Sequence, residues 1–554
     1  MQLNPMHLKV STLLTGRLFR IPEYQRAYAW GPRQRSDLFH DILDAKISGR
    51  EHFMATVVAL SKGDRLIGAD QFRTVEIVDG QQRITTLVIL FKAIVKALNV
   101  SDAVQEKIWR DISELLVKGD DHSLVLLQTN HDSSSVFTDY IRAGAINEDQ
   151  AKTASDMNLI HAARECEAFV RDWLLRFPIV ELVAVVKNQL SMIYHEIPDE
   201  ATVYRVFEVL NSRGLDVKWI DKLKSQLMAL LFEHVEPGTR QEAVKEMQEI
   251  WKQIYQALGQ RGNLGDESLR FAGTWSLGQQ PNRIISQEDS ASALTIAAGV
   301  KLNSVIVVGE NLKRVVQAVN ALDGNVRLRA VTKIVHARFV ATAILLRRFD
   351  ADVERRLLGT WERVTFRIFG LGGADTRHKI GDYVRLGYKI IADNLDVTKI
   401  EAGLADLGTN YDIANVLKAK DYWNQSYEGW TEELRYILFR YDEHLAAAAG
   451  SPLNELQWNK IWLEEPSRSV EHVMPQSSGA AYIHNIGNLT MLPPRVNSSL
   501  QATSPVAKAS VYQSSGLLGT AAIAVTITTN NGWDETDVDA RTTAIDAFVR
   551  SEWG

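Results

Sequence analysis

One short run constrains this chain more than its bulk numbers do: TVEIVDGQQRITTL, residues 74–87. TVEIV has the β-branched character of a strand. Asp79-Gly80 breaks it, and from Ile84 to Leu98 the apolar spacing is helical. A strand must therefore turn into a helix across DGQQR. Such a junction points backbone N–H groups outward, and the helix dipole favours an anion there. Gly80 permits the sharp turn. Gln81, Gln82 and Arg83 add amide and guanidinium donors suited to phosphate oxygens. A tight connection with solvent-facing polar residues satisfies the same pattern.

The neighbouring segments read as follows. Arg20–Trp30 is extended in character, and its Tyr24, Gln25, Arg26, Tyr28 and Trp30 suit either an aromatic platform with donors or a half-buried edge strand. Ser36–Ile47 has helical spacing, with Ser36 as the expected N-cap. Residues 52–60 read as a strand and 61–73 as a polar, hairpin-like loop. Residues 101–235 read as mostly helical, with a helix corner at Asn211–Gly214 where Asn211 and Arg213 have a structural reading. The stretch Arg261–Gly299, rich in Gly, Gln, Asn and Ser, is the expected linker. Helical periodicity returns over 306–450, and the glycine loop Gly370–Arg377 lacks the preceding strand of a phosphate cradle.

The second informative stretch is SVEHVMPQSSGAAYIHNIGNLTMLPPRVN, residues 469–497. Trp458–Leu463 and Ser469–Val473 read as short strands, Asn485–Leu492 as another, with a helix delayed by Pro493 and Pro494 to about Val496. That order is strand, loop, strand, helix. Phosphodiester hydrolysis needs an activated water, a cation on the phosphate and a fixed geometry between them. His472 can take the water's proton near pH 7. Glu471 and Asn497 supply oxygens for one Mg²⁺, and Asn488 can bridge loop backbone. Only His472 and His484 are nearby, too few for a zinc site. Glu-His pairs and scattered asparagines also occur in ordinary loops.

Composition narrows the classes. The single cysteine, Cys166, excludes an intrachain disulfide and a cysteine-built zinc site; its helical context reads as core. A net charge of −6 does not suit non-specific coating of nucleic acid. The arginines of Arg26–Arg35, Arg347–Arg348 and Arg355–Arg356 read mainly as solvated faces. No apolar run reaches the roughly 20 residues of a membrane span, and a cytoplasmic location is expected.

Both stretches resemble one family. IPEYQRAYAW and DGQQRITTL, in this order, are similar to the ParB/sulfiredoxin-like N-terminal domain of GmrSD- and SspE-type (also BrxU-like) restriction proteins, and the VFEVLNSRGL segment adds to the likeness. EHVMPQ, IGNLTML and the following asparagine resemble that family's C-terminal HNH nuclease domain, a His-Me finger, with Asn497 in place of the last histidine. The resemblance implies a domain that binds and hydrolyses a nucleoside triphosphate (GTP or ATP), its site lined by Tyr24, Gln25, Arg26, Asp79, Gly80, Gln81, Gln82, Arg83 and Thr85. With no Walker A loop, that hydrolysis departs from the P-loop plan. It implies catalysis by His472, Asn488, Glu471 and Asn497, with Glu471 and Asn497 as ligands of Mg²⁺ or Mn²⁺, and a DNA phosphate contact from Lys508.

The expected architecture is an α+β multidomain chain, mostly helical: a ParB-like domain with helical extension over 1–235, a helical middle with linker over 236–425, and a helical domain with a ββα-metal finger over 426–554. The expected function is nucleotide-regulated cleavage of double-stranded DNA in anti-phage restriction, sensing a phosphorothioate or a glycosylated hydroxymethylcytosine. A ParB-like regulatory protein without cleavage, and an HNH RNase or toxin, are the alternatives. A homo-oligomer is left open.

Overall fold

The computed structural model of the chain describes residues 5–22, 27–118, 123–128, 135–197, 218–259, 263–299, 301–325, 334–417, 422–424, 426–428, 431–463 and 468–554. Tyr24, Gln25, Arg26, Asn211 and Arg213 lie outside them. The chain is mostly helical with a small sheet, and it divides into two compact units, residues 1–277 with 285–317, and residues 278–284 with 318–554.

The first unit is built on a mixed sheet of six strands: β1 (Met6–Lys9), β2 (Arg17–Ile21), β3 (His52–Ile67), β4 (Asp70–Asp79), β7 (Leu126–Gln128) and β8 (Leu190–Ile197), in the order β1-β8-β3-β4-β2-β7. The short strands β5 (Val117–Lys118) and β6 (Ser123–Leu124) pair separately. β3 runs antiparallel to β4 and parallel to β8, so β8 sits within the sheet, where the sequence pattern suggests helix. Residues 61–73 are not a loop. They continue β3 and β4 as a two-stranded arm that turns at Gly68-Ala69, with Ile67 paired to Asp70. The arm's side chains are mostly exposed, so no apolar alternation marks it.

Three helices of this unit bear on the DGQQR turn: α1 (Pro32–Ser48), α2 (Gln81–Ala97) and α3 (Ala154–Leu174). α1 begins before the expected Ser36. Pro32 fits the first helical position, and Gln34 Oε1 accepts from Gly31 N–H at 3.0 Å. α2 is buried on nearly every face, including Ile84, Leu87, Val88, Leu90, Phe91 and Ile94, the pattern of a central core helix. Full burial of one such side chain stabilises by roughly 1.5–3 kcal/mol. Lys92 and Lys96 break its apolar run for a reason: their Nζ atoms reach Arg142 O at 3.0 Å and Gly144 O at 2.9 Å, at the C-terminus of helix Val136–Ala143. Cys166, on α3, is fully buried, and burial pushes its thiol pKa up.

The expected linker over 261–299 is largely helical. It forms α4 (Leu264–Trp275) and α5 (Gln287–Ala298), leaving 276–286 irregular. Its small residues serve close packing: a Cβ on Gly273 would lie 2.4 Å from Ser290 Cβ.

The second unit carries the C-terminal stretch among α6 (Thr431–Ala448), α7 (Glu455–Leu463), α8 (Pro494–Leu500), α9 (Pro505–Gln513), α10 (Leu518–Asn530) and α11 (Glu535–Trp553). Trp458–Leu463, read as a strand, lies in α7; a short apolar run does not separate the two states. β9 (Val470–His472) and β10 (Leu489–Met491) form an antiparallel pair and α8 follows directly. Pro494 starts that helix at its first position instead of delaying it. Among the described residues no helix is long and apolar enough to cross a membrane.

Candidate active site and the DGQQR turn

β9 places Glu471 and His472 side by side, and successive strand residues face opposite ways. Their side chains accordingly meet different neighbours. His472 Nε2 lies 3.4 Å from His484 Nδ1, Gln476 Nε2 is 3.3 Å from His472 Nδ1, and the Tyr427 ring meets the imidazole edge-on at 4.5 Å. Glu471 Oε1 instead accepts from Tyr512 Oη at 2.9 Å and pairs with Lys508 Nζ at 2.7 Å. Both Glu471 and Lys508 are buried, and Lys508 also donates to His472 O at 2.6 Å. Lys508 was expected at a DNA phosphate. Its fully buried ammonium is committed to Glu471 and the β9 backbone, so it supports the site from within.

Asn488 is fully buried at the end of the loop between the strands. Its Oδ1 accepts from Met474 N–H at 2.8 Å and Trp533 Nε1 at 3.2 Å; its Nδ2 donates to Met474 O at 3.1 Å and Ile483 O at 3.0 Å. One amide thus ties both arms of the 473–488 loop. Asn497, on α8, donates Nδ2 to Arg468 O at 2.8 Å and Val470 O at 3.1 Å. Its Oδ1 has no hydrogen-bond partner among the described residues, which leaves an oriented oxygen beside β9.

Residues outside the sequence expectation complete the frame. Arg541 of α11 donates to Ile486 O, Gly487 O and Leu489 O at 3.1, 2.9 and 2.6 Å, gripping the backbone on either side of Asn488. Gly487 permits that approach, since a Cβ there would lie 2.2 Å from Val538 O. Trp423 O accepts from Ile486 N–H at 3.0 Å, which fixes the segment carrying Tyr427 against the same loop. Tyr427, Tyr512, Trp533 and Arg541 come from distant segments, and no local motif marks them.

Burial, chiefly, lowers the His472 pKa to about 4, with His484 and Lys508 adding to it. The ring is therefore neutral at pH 7 and able to accept a proton. Burial raises the Glu471 pKa, while Lys508 and Tyr512 oppose the shift.

At the other stretch, Asp79 closes β4, Gly80 takes φ +91°, and α2 starts at Gln81. A Cβ on Gly80 would lie 2.8 Å from Val57 Cγ2 and 3.3 Å from Thr56 O, so both conformation and space call for glycine. Gln82 acts as a clamp. Its Oε1 accepts from Ala29 N–H at 2.8 Å and Trp30 N–H at 3.2 Å, and its Nε2 donates to Ala27 O at 3.2 Å. Tyr28 Oη lies 2.9 Å from Thr86 Oγ1. The end of IPEYQRAYAW is thereby docked onto the DGQQR turn. Gln81 and Thr85 are buried; Asp79 and Arg83 are half-buried. Arg35 is no candidate for DNA: it is fully buried and forms a two-bond pair with Glu165 at 2.7 and 2.6 Å.

The two stretches lie in regions that match known family models. Residues 10–228 match the N-terminal domain of GmrSD restriction endonuclease, and residues 412–547 match the C-terminal domain of GmrSD restriction endonucleases. The chain is thus a DNA endonuclease of phage restriction. It belongs to the GmrSD restriction endonuclease family. A search of the curated proteins finds no match.

Proposed function

We propose that this endonuclease hydrolyses DNA phosphodiesters at His472, in an HNH-type site that uses Mg²⁺ or Mn²⁺. The observation that carries this reading is the strand–loop–strand–helix unit in which a neutral His472 faces the loop, Asn488 locks that loop, and Asn497 is held by its nitrogen with its oxygen free of partners among the described residues. Asn497 Oδ1 would hold a hard cation, with water and phosphate oxygens completing the shell; Glu471, the expected second ligand, would join it only by turning from its pair with Lys508 and Tyr512. No group of three His, Cys, Asp or Glu converges on a metal position among the described residues, so the protein's share of ligands is small, as is common for Mg²⁺. When bound, the ion supplies positive charge to the phosphate and the leaving oxygen. His472 accepts the attacking water's proton. Lys508 holds the β9 carbonyls and orients Glu471. Asn488 and Arg541 hold the loop so that His472 reorganises little during the reaction.

The DGQQR turn is proposed to bind and hydrolyse GTP or ATP. Gly80 and the first turn of α2 would face the phosphates and Arg83 would supply charge, joined by Tyr24, Gln25 and Arg26. In this reading Gln82 holds the two motifs together, and nucleotide turnover licenses cleavage of DNA bearing a phosphorothioate or a glycosylated hydroxymethylcytosine. A gel panel tests the scheme: unmodified, phosphorothioate and glycosylated DNAs are crossed with GTP or ATP, with Mg²⁺ or EDTA. Cleavage that persists in EDTA would sink the metal-dependent reading, and cleavage indifferent to nucleotide and modification would sink the regulatory one.

A further inference from the structure

The cleavage scheme uses His472 and leaves the second imidazole beside it without a role. His484 Nδ1 lies 3.4 Å from His472 Nε2, and His484 Nε2 lies 3.8 Å from Glu428 Oε1. Tyr427 grips both rings, stacking on His484 at 5.4 Å and 11° while meeting His472 edge-on at 4.5 Å and 65°. The segment that carries Tyr427 and Glu428 is bonded to the loop that carries His484: Ile486 N–H donates to Trp423 O at 3.0 Å, and Asn485 Nδ2 donates to Asn424 Oδ1 at 2.8 Å. Glu428, His484 and His472 therefore line up from an exposed carboxylate to a buried ring.

We propose that His484 is a positioning residue of the nuclease site: held by Tyr427 and directed by Glu428, it sets which nitrogen of His472 carries the proton and which way the ring points. The inference rests on the reading of His472 as the base. An ionised carboxylate can only accept hydrogen bonds. At 3.8 Å the pair is not a formed hydrogen bond; the carboxylate favours the proton on His484 Nε2 as the two close, and Nδ1 is then the acceptor. His472 answers with Nε2–H, which leaves the lone pair of its Nδ1 for the water's proton. Gln476 Nε2 lies 3.3 Å from Nδ1 and 3.4 Å from Nε2 of His472, so that amide does not choose between the two nitrogens, and it gives up Nδ1 when the water binds there. Both separations along the chain are longer than tight hydrogen bonds, as is common in active sites before substrate binds.

The test compares full-length wild type with His484→Phe, which keeps a ring against Tyr427 and removes both nitrogens, and with His484→Gln, whose amide oxygen can accept from His472. Cleavage kinetics are measured with Mg²⁺ on the DNA that the wild type cuts best, and ¹⁵N-histidine spectra report the His472 tautomer. The expected result is a fall in kcat of about 10- to 100-fold for His484→Phe with KM unchanged, partial recovery in His484→Gln, and loss of the uniform Nε2–H tautomer in His484→Phe. Wild-type kcat, or an unaltered tautomer, in His484→Phe overturns the proposal. Glu428→Gln carries the same spectroscopic test at an exposed position should the phenylalanine variant not fold, because an amide no longer dictates the polarity of the chain; an unaltered tautomer there overturns it equally. His472→Ala, run in parallel, separates the two readings. Cleavage by that variant removes the base assignment itself, whereas an inactive His472→Ala beside a fully active His484→Phe removes only the role of His484.

Discussion

Lys508 Nζ lies 2.7 Å from Glu471 Oε1 with both side chains buried, so the residue expected to touch DNA instead neutralises the acid next to the proposed base. Removing one partner of such a pair strands the other's charge, at a cost of about 3–5 kcal/mol. Lys508→Met should therefore lower the urea midpoint strongly, and adding Glu471→Gln should recover part of the loss because no charge is then stranded. A single variant as stable as the wild type would contradict the pairing.

Asn488 satisfies two donors and two acceptors within the site loop. Asn488→Ala leaves Met474 N–H, Met474 O, Ile483 O and Trp533 Nε1 without it. At about 1–3 kcal/mol for each buried group left unpaired, a loss of several kcal/mol is expected, together with loss of cleavage. Asn488→Asp should fare little better, since a carboxylate would face the carbonyls of Met474 and Ile483. Amide exchange across residues 473–488 checks this directly; wild-type protection in Asn488→Ala would show that the loop does not depend on the side chain.

Gln82 and Gly80 test the N-terminal turn without touching cleavage chemistry. Gln82→Leu keeps the volume and breaks three bonds to residues 27–30, and it should abolish nucleotide hydrolysis. Gly80→Ala forces a side chain into a positive-φ position against Val57, with strain of about 1–3 kcal/mol and the same loss of turnover. Hydrolysis at the wild-type rate in Gln82→Leu would show that docking of the two motifs is not what builds the pocket.

Asp442 gives a pH signature. Burial, opposed by the Gly519 N–H and by Arg541, raises its pKa from 3.8 to about 6. Between those values the folded chain holds a proton that the unfolded chain has released. Its contribution to stability therefore falls as pH rises from about 4 to about 6 and is constant above. Asp442→Asn cannot titrate, so its stability relative to the wild type should climb through that window by up to about 3 kcal/mol. Urea titrations at half-unit pH steps measure the difference, and a flat difference from pH 4 to 7 would contradict the shift.

What could be read from the sequence was what local chemistry marks. Asp79-Gly80 announces a turn whatever surrounds it, and EHVMPQ with IGN places β9, the loop and β10 nearly where they lie. Three things stayed hidden for physical reasons. β8 is a strand because it pairs with β1 and β3, far off in sequence. Gly273 and Ser290 look like linker composition until α4 and α5 bring them into contact. Glu471 and His472 look like one unit in sequence, but a strand turns neighbours to opposite faces. The same limit applied to the site: its named residues lie mostly close in sequence, whereas Tyr427, Tyr512, Trp533 and Arg541 reach it from separate segments.

The most direct test of the account is cleavage by His472→Ala, assayed on DNA that the wild type cuts, with Mg²⁺ and nucleotide present, beside nucleotide hydrolysis by the same protein. General-base catalysis contributes about 10²–10⁴-fold, so the account predicts a cleavage rate reduced at least that far while nucleotide turnover continues. Cleavage at the wild-type rate in His472→Ala would contradict it.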